Sequence, residues 1–317
     1  MGALVTGIHH ITAIASDAQR NVDFYAGVLG LKLVKKTVNF DDPDVYHFYF
    51  GDPTGSPGSL LTCFPYAGLA QGRKGKGMAT VTAFAVPDIS FAFWKDRLRR
   101  YRISFREVEE RFGEERSLYL EDDDGLGLEL VFTGDSKDVG PVSGATLAQH
   151  AIRGVHHVEL MEEGFESTAR LLTDLLGYRL VAEKGNRFRF ASAEEARAFI
   201  EVVCAPGSLK GLRGSGTFHH VAFATTDLSS QKTIRERAVA EGFNVTPVLD
   251  RKYFSSCYFR EPGGVLLEVA TAGPGLTIDE APSRLGEKLM LPADLENRRE
   301  ALEKKLPDVQ FDNGKFT

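Results

Sequence analysis

Three pairs of adjacent histidines, His9-His10, His156-His157 and His219-His220, open short β-branched runs, and three glutamates, Glu129, Glu201 and Glu268, lie inside apolar ones. A carboxylate flanked by Leu267 and Val269, as Glu268 is, is costly unless it is paired or bound to a metal. Two neutral imidazoles and one carboxylate on one face of an octahedral ion form the donor set of non-heme Fe(II) sites that activate O2, with positions left open for substrate and oxygen. A lone strand histidine or glutamate reads as an ordinary core or solvent-facing residue. Recurrence of both at equivalent places points instead to a metal site. Neighbouring strand residues face opposite ways, so only one histidine of each pair shares the face of its unit's concave side, and strict alternation turns His9 and His219 away.

The elements that must position these residues repeat four times. The repeats start at Gly7-Ile8-His9-His10, Met78-Ala79-Thr80-Val81, Gly154-Val155-His156-His157 and Phe218-His219-His220-Val221, and end near Phe64, Val131, Val202 and Val269. Each opens on a strand, continues into a helix-length segment and ends in three shorter strand-like runs separated by Gly, Pro and Asp. In the first, Asp17 is placed to cap a helix carrying Val22, Phe24, Tyr25 and Leu29. Twenty residues separate His10 from Gly30, and twenty separate His157 from Gly177. This predicts an α+β chain of four βαβββ units in two domains, 1–140 and 141–285, with a boundary in the Gly-, Ser- and Asp-rich stretch 134–144. A helical tail follows over 286–317, its helix expected at about 292–305. No GxGxxG or P-loop follows a strand, which excludes a nucleotide-binding parallel sheet.

Composition narrows the function classes. The 317 residues carry 38 basic and 44 acidic side chains, a formal charge of −6, with no basic tract, so nucleic acid is not an expected partner. No apolar run approaches the roughly 20 residues that span a bilayer, and the amino terminus runs into a strand without a basic start and cleavage site. Cys63, Cys204 and Cys257 are odd in number and lack CxxC spacing. They read as reduced residues of a cytoplasmic protein, and Cys63 and Cys204 as apolar filler rather than ligands.

If each cup is shared by two units, each unit offers its strand-start and end-strand residue. Units one and four then bring together His10, Thr62, His220 and Glu268. Units three and four bring together His157, Glu201, His220 and Glu268. Both sets remain open from the residues alone.

The fourfold repeat resembles the vicinal oxygen chelate superfamily, which includes glyoxalase I and the extradiol ring-cleaving dioxygenases. More narrowly, residues 7–12, 23–31, 35–42 and 46–51, together with Asp250-Arg251-Lys252-Tyr253-Phe254, Tyr258-Phe259-Arg260-Glu261 and residues 286–292, resemble bacterial dioxygenases that open hydroquinones. The resemblance implies metal ligands from the first and fourth units, His10, His220 and Glu268, holding Fe(II), with Mn(II) as the alternative ion. It also implies catalytic roles for His9, Thr12, His219, Arg251 and Tyr258. A three-residue loop at Pro262-Gly263-Gly264 would set Tyr258 opposite Glu268. Arg251, otherwise an edge residue, would stabilise oxyanion charge, with Lys252 on the opposite strand face. His156-His157 departs from the hydroquinone pattern and suits a catechol-cleaving site. The implied partners are a small aromatic substrate and O2, with no nucleic acid and no membrane; homo-oligomerisation is left open. The competing functions on the same fold are a glyoxalase-like metal-dependent isomerase or lyase, and a metal-free binding or resistance module.

Overall fold

The computed structural model describes residues 4–108, 111–113, 116–134, 148–192, 198–311 and 313–316. The first unit is β1 (Val5–Ala15), α1 (Ala18–Val22) continued by a π-helical turn (Asp23–Val28), β2 (Lys32–Asn39), β3 (Asp42–Gly51) and β4 (Leu60–Pro65). The second is β5 (Met78–Pro87), α2 (Phe91–Arg100), β6 (Phe105–Val108), β7 (Arg116–Glu121) and β8 (Gly127–Thr133). The third is β9 (Val155–Glu162), α3 (Glu166–Arg170) continued by a π-helical turn (Leu171–Leu175), β10 (Arg179–Lys184), β11 (Arg187–Ala191) and β12 (Phe199–Cys204). The fourth is β13 (Thr217–Thr225), α4 (Leu228–Ala240), β14 (Leu249–Asp250), β15 (Phe254–Arg260) and β16 (Leu266–Pro274). All four expected βαβββ units are present.

Local chemistry explains the repeat. The Asp17 carboxylate accepts from the Arg20 backbone N–H at 2.8 Å, the expected cap of α1. The first and third helices end alike: Leu31 N–H donates to the Tyr25 carbonyl and Tyr178 N–H to that of Leu172. Gly30 at φ 70° and Gly177 at φ 74° supply the left-handed residue that this ending requires. The helices cover one side of the sheets, where Ile8, Ile11, Val22, Tyr25, Leu160 and Leu172 are buried in one core.

The sheets do not follow the order of the chain. One runs β14-β15-β16-β13-β1-β4-β3-β2 and the other β10-β11-β12-β9-β5-β8-β7-β6. Units one and four therefore share a sheet through the antiparallel β1–β13 pair, and units two and three share the other through β5–β9. Each sheet takes one unit from each half of the chain. The expected boundary at 134–144 lies, apart from Gly134, outside the described residues. The connections between sheets run side by side, with bridges Gln71–Ser215, Arg73–Leu212 and Lys76–Lys210.

In the tail the helix spans Arg299–Lys305. It is shorter than expected because residues 293–295 form a turn and Glu296–Arg298 a single 3₁₀ turn. The segment after β16 and the tail both pack back on unit one: the fully buried Lys35 ammonium pairs with Asp279 at 2.7 Å and with Glu280, and Met290 N–H donates to the Lys36 carbonyl. Among the described residues, no helix is long and apolar enough to cross a membrane. The three cysteines are free; Cys63 and Cys257 are buried and Cys204 partly so.

Candidate metal centre

The central strands of the first sheet bring His10 on β1, His220 on β13 and Glu268 on β16 together. Thr12 faces His220 across the β1–β13 ladder, and Glu268 pairs with Ala222 on the next strand. His10 Nε2 lies 3.1 Å from His220 Nε2. Glu268 Oε2 lies 3.5 Å from His10 Nε2 and 2.8 Å from His220 Nε2. The three side chains are buried, and their donor atoms lie within 4.8 Å of one another.

The first histidine of each pair does not point away. In the β1–β13 ladder the register steps from Ile8 to His10 while the partner advances one residue, and from His220 to Phe218 while β1 advances one. His9 and His219 are thus the extra residues of two β-bulges, where alternation breaks and the strand bends. His9 Nδ1 sits 2.9 Å from His10 Nδ1, and His219 Nδ1 sits 2.8 Å from His220 Nδ1. Burial and the neighbouring imidazole lower the His9 pKa to about 3, and burial, His220 and Arg213 lower that of His219 to about 2, so both rings are neutral. A neutral acceptor at Nδ1 draws the ligand's proton to that nitrogen and leaves the Nε2 lone pair facing inward.

The donor set fits a metal ion. Glu268 Oε2 is enclosed and has no hydrogen bond of acceptable geometry, whereas Oε1 accepts from Ser256 Oγ. Burial alone would raise the Glu268 pKa, but His10 and His220 hold it well below the usual range. A buried carboxylate oxygen without a hydrogen-bond partner and two imidazole Nε2 atoms converge on one point, an arrangement that a divalent cation would satisfy.

The cluster forms part of the wall of a cavity of about 560 Å³ that is also lined by Tyr49, Phe64, Phe254, Arg251 and Tyr258. Tyr258 pairs with Glu268, and Glu261 N–H donates to the Val265 carbonyl across the expected three-residue loop. The Tyr258 and His220 ring centroids are 5.7 Å apart. Burial and the Glu268 charge raise the Tyr258 pKa, so its phenol keeps its proton. Arg251 lies in the turn before β15, not on a strand. Its guanidinium makes a two-bonded pair with Asp41 at 3.1 and 2.9 Å and stands 5.5 Å from the Tyr258 ring. Lys252 departs from its expected place: it takes φ 66°, and its ammonium pairs with Asp279 at 2.6 Å. The tight turn, rather than strand alternation, sets where these neighbours go.

Residues 7–130 and 154–269 match the family model of the Glyoxalase/Bleomycin resistance protein/Dioxygenase superfamily. The chain belongs to this superfamily. Within it, the chain is 42% identical over 308 residues to "Putative ring-cleaving dioxygenase MhqO" of Bacillus subtilis, covering 96% of this chain and 97% of that protein. It is 32% identical to "Chlorohydroquinone/hydroquinone 1,2-dioxygenase" of Sphingobium indicum, covering 96% and 97%. The crystal structure of a "putative dioxygenase" from Bacillus subtilis superposes with a TM-score of 0.93 at 41% identity, over 98% of this chain and 99% of that one. The chain is an enzyme of the superfamily's ring-cleaving dioxygenase class.

The repeat also places equivalent donors in the second sheet, where guanidinium groups meet them. His157 lies in the second sheet, its Nε2 3.4 Å from Glu129 Oε2 and 3.8 Å from Glu201 Oε2. Guanidinium groups fill the surrounding space: Arg111 pairs with Glu129 at 2.7 Å, and Arg187 and Arg189 pair with Glu201 at 2.6 and 2.7 Å. Burial alone would raise the Glu201 pKa, but His157, Arg189 and Arg187 hold it at about 2. The alternative set His157, Glu201, His220 and Glu268 is split between the two sheets.

Sequence reasoning passed over His47, Tyr49 and Asp41, which also line the cavity. His47 stood in a quoted motif beside Tyr46 and Phe48, but a single histidine on a middle strand carries no recurrence to mark it.

Proposed function

We propose that this chain opens the ring of a hydroquinone-type phenol, substituted or not, with O2 at an Fe(II) held by His10, His220 and Glu268. The observation that carries the reading is the buried two-histidine, one-carboxylate cluster in the wall of an aromatic-lined cavity. The Sphingobium indicum relative, named for chlorohydroquinone and hydroquinone, supports the substrate class. When bound, the metal supplies the redox chemistry and a point at which O2 and an aromatic hydroxyl lie side by side.

The chain's own residues do the rest. His9 and His219 accept the Nδ1 protons of His10 and His220 and so hold the ligand rings in one tautomer and orientation. Arg251 keeps its charge at any working pH and, beyond the two donors it gives Asp41, has further N–H groups to offer a phenolate or developing oxyanion in the cavity. Tyr258, protonated at Oη, is placed to lend or take a proton at a ring oxygen. Tyr49, Phe64 and Phe254 give the ring an apolar seat.

An oxygen electrode tests the proposal. Hydroquinone or a methyl- or chloro-hydroquinone should drive O2 uptake by iron-loaded protein and yield a new absorbing ring-opened product, with catechol slower. Isomerisation or lyase turnover without O2 uptake would point to glyoxalase-like chemistry. Catechol far outpacing hydroquinone would move the substrate to the catechols. Reconstitution with Mn(II) beside Fe(II) decides the ion.

A further inference from the structure

A line of side-chain contacts crosses four neighbouring strands of the metal-bearing sheet. His47 Nε2 on β3 lies 2.9 Å from Thr62 Oγ1 on β4. Thr62 Oγ1 lies 2.7 Å from Thr12 Oγ1 on β1, and Thr12 Oγ1 lies 2.8 Å from His220 Nε2 on β13. The ladder explains the alignment, since Thr62 pairs with Thr12 on one side and Thr12 pairs with His220 on the other. Both threonine hydroxyls are fully buried, so each must find partners within the protein.

Counting protons gives the line a direction. With the His220 proton on Nδ1, toward His219, its Nε2 offers only a lone pair, and Thr12 is the donor to it. Thr62 must then donate to Thr12, because Thr12 has one hydrogen. That leaves Thr62 Oγ1 as the acceptor from His47 Nε2–H. The other units carry the same polarity at the same place. Ser117 Oγ donates to Glu129 at 3.0 Å, Arg187 to Glu201 at 2.6 Å, and Ser256 Oγ to Glu268. In these three units the third strand supplies a donor to the residue on the last strand.

We propose that His47 is a positioning residue that, through Thr62, holds the Thr12 hydroxyl as a donor toward the cluster. This rests on the metal and phenol reading given above. With a cation held by His10, His220 and Glu268, the His220 Nε2 lone pair would be taken and the Thr12 hydrogen would be free to serve a substrate oxygen. Reversed, with His47 Nε2 bare, the hydroxyls would run outward and Thr12 would present only lone pairs to an anionic substrate. The His47 ring is kept in place by Tyr49 and Phe64, whose centroids lie 4.2 and 4.3 Å away. Burial and the nearby His10 and His220 keep it neutral, so it has one N–H to place.

Two measurements test the proposal. Nitrogen-15 spectra of histidine-labelled, metal-free protein, assigned with His47→Phe, should show the His47 proton on Nε2; a proton on Nδ1 overturns it. In iron-loaded protein, His47→Phe should lower kcat about tenfold with KM and iron content unchanged. His47→Gln, which keeps an N–H near the same point, should recover most of that loss. Thr62→Val should repeat the loss, also if His47→Phe fails to fold, and the double variant should be no worse than either. Wild-type kcat in His47→Phe or Thr62→Val, or additive losses, would refute the relay. If the wild type turns over no hydroquinone, the substrate reading fails, while the tautomer still decides the direction of the line.

Discussion

The two sheets carry equivalent residues at matching register and use them in opposite ways. In the second sheet Glu201 pairs across the ladder with Arg189; in the first sheet the same position opposite Glu268 is Tyr258. Two residues earlier on that neighbouring strand stand Arg187 in one and Ser256 in the other. Where the strand brings guanidinium groups, they supply the positive charge that a buried carboxylate needs and fill the space as well. Where it brings a serine and a tyrosine, the pairing charge comes from elsewhere: Arg111 supplies it to Glu129, which faces Tyr119 and Ser117, and on our proposal a metal ion supplies it to Glu268 beside the cavity. A buried glutamate in this repeat is therefore ambiguous by itself, and whether a guanidinium reaches it, from the facing strand as at Glu201 or from elsewhere as at Glu129, marks the ion pair.

The contrast breaks most sharply at the ligands. His10→Ala, His220→Ala and Glu268→Ala should each lose most of the bound metal, and activity by more than the roughly 10–100-fold that removing a ligand's hydrogen-bond partner costs. Metal analysis with turnover measures both. Retention of iron in His10→Ala with loss in His157→Ala would reverse the roles of the two sheets. On the other side, Arg189→Met should leave metal and kcat unchanged and lower unfolding stability by less than the roughly 3–5 kcal/mol that stranding one partner of a buried pair costs, because Arg187 still pairs with Glu201. Urea titration reads it.

Arg251 sharpens the difference, because here the same residue type meets the cavity. Arg251→Met should keep iron while kcat and kcat/KM fall together by about 10²-fold. Lys252 is no neutral comparison, being tied to Asp279; the exposed Lys232 on α4 is. A smaller effect follows from the depressed Glu201 pKa, about 2 against 4.5 for a free glutamate. Above 4.5 its contribution to stability is fully present. As pH falls from 4.5 toward 2 the unfolded chain takes up a proton that the folded Glu201 refuses, and the contribution is lost. Glu201→Gln should flatten that part of the pH–stability curve. Smallest of all, His157→Ala should leave iron content where it is.

Much of this was legible from residue types. Recurrence marked the strand ends and helices of four units and the glutamates of three, because burial patterns repeat when the fold does. The loop at Pro262-Gly263-Gly264 set the register of Tyr258 correctly. The contacts of His9 and His219 were not legible from alternation, since a bulge is a property of two paired strands and the partner of β1 lies more than two hundred residues away. For the same reason, pattern alone left two unit pairings open. Arg187 and Arg189 carry no recurrence that marks them in the sequence, and only the facing Glu201 gives them their role.

The pairing of the first unit with the last also governs when the donor set comes into being. During synthesis, β5 and β9 emerge in succession and their sheet can close early. β1 must wait for β13 and β16, an interval on the order of tens of seconds at ordinary translation rates. His10 therefore spends its early life beside an unpaired strand edge, with nothing to ligate alongside. A nascent chain stalled before Glu268 can carry the ion pairs of the second sheet, and never the assembled cluster.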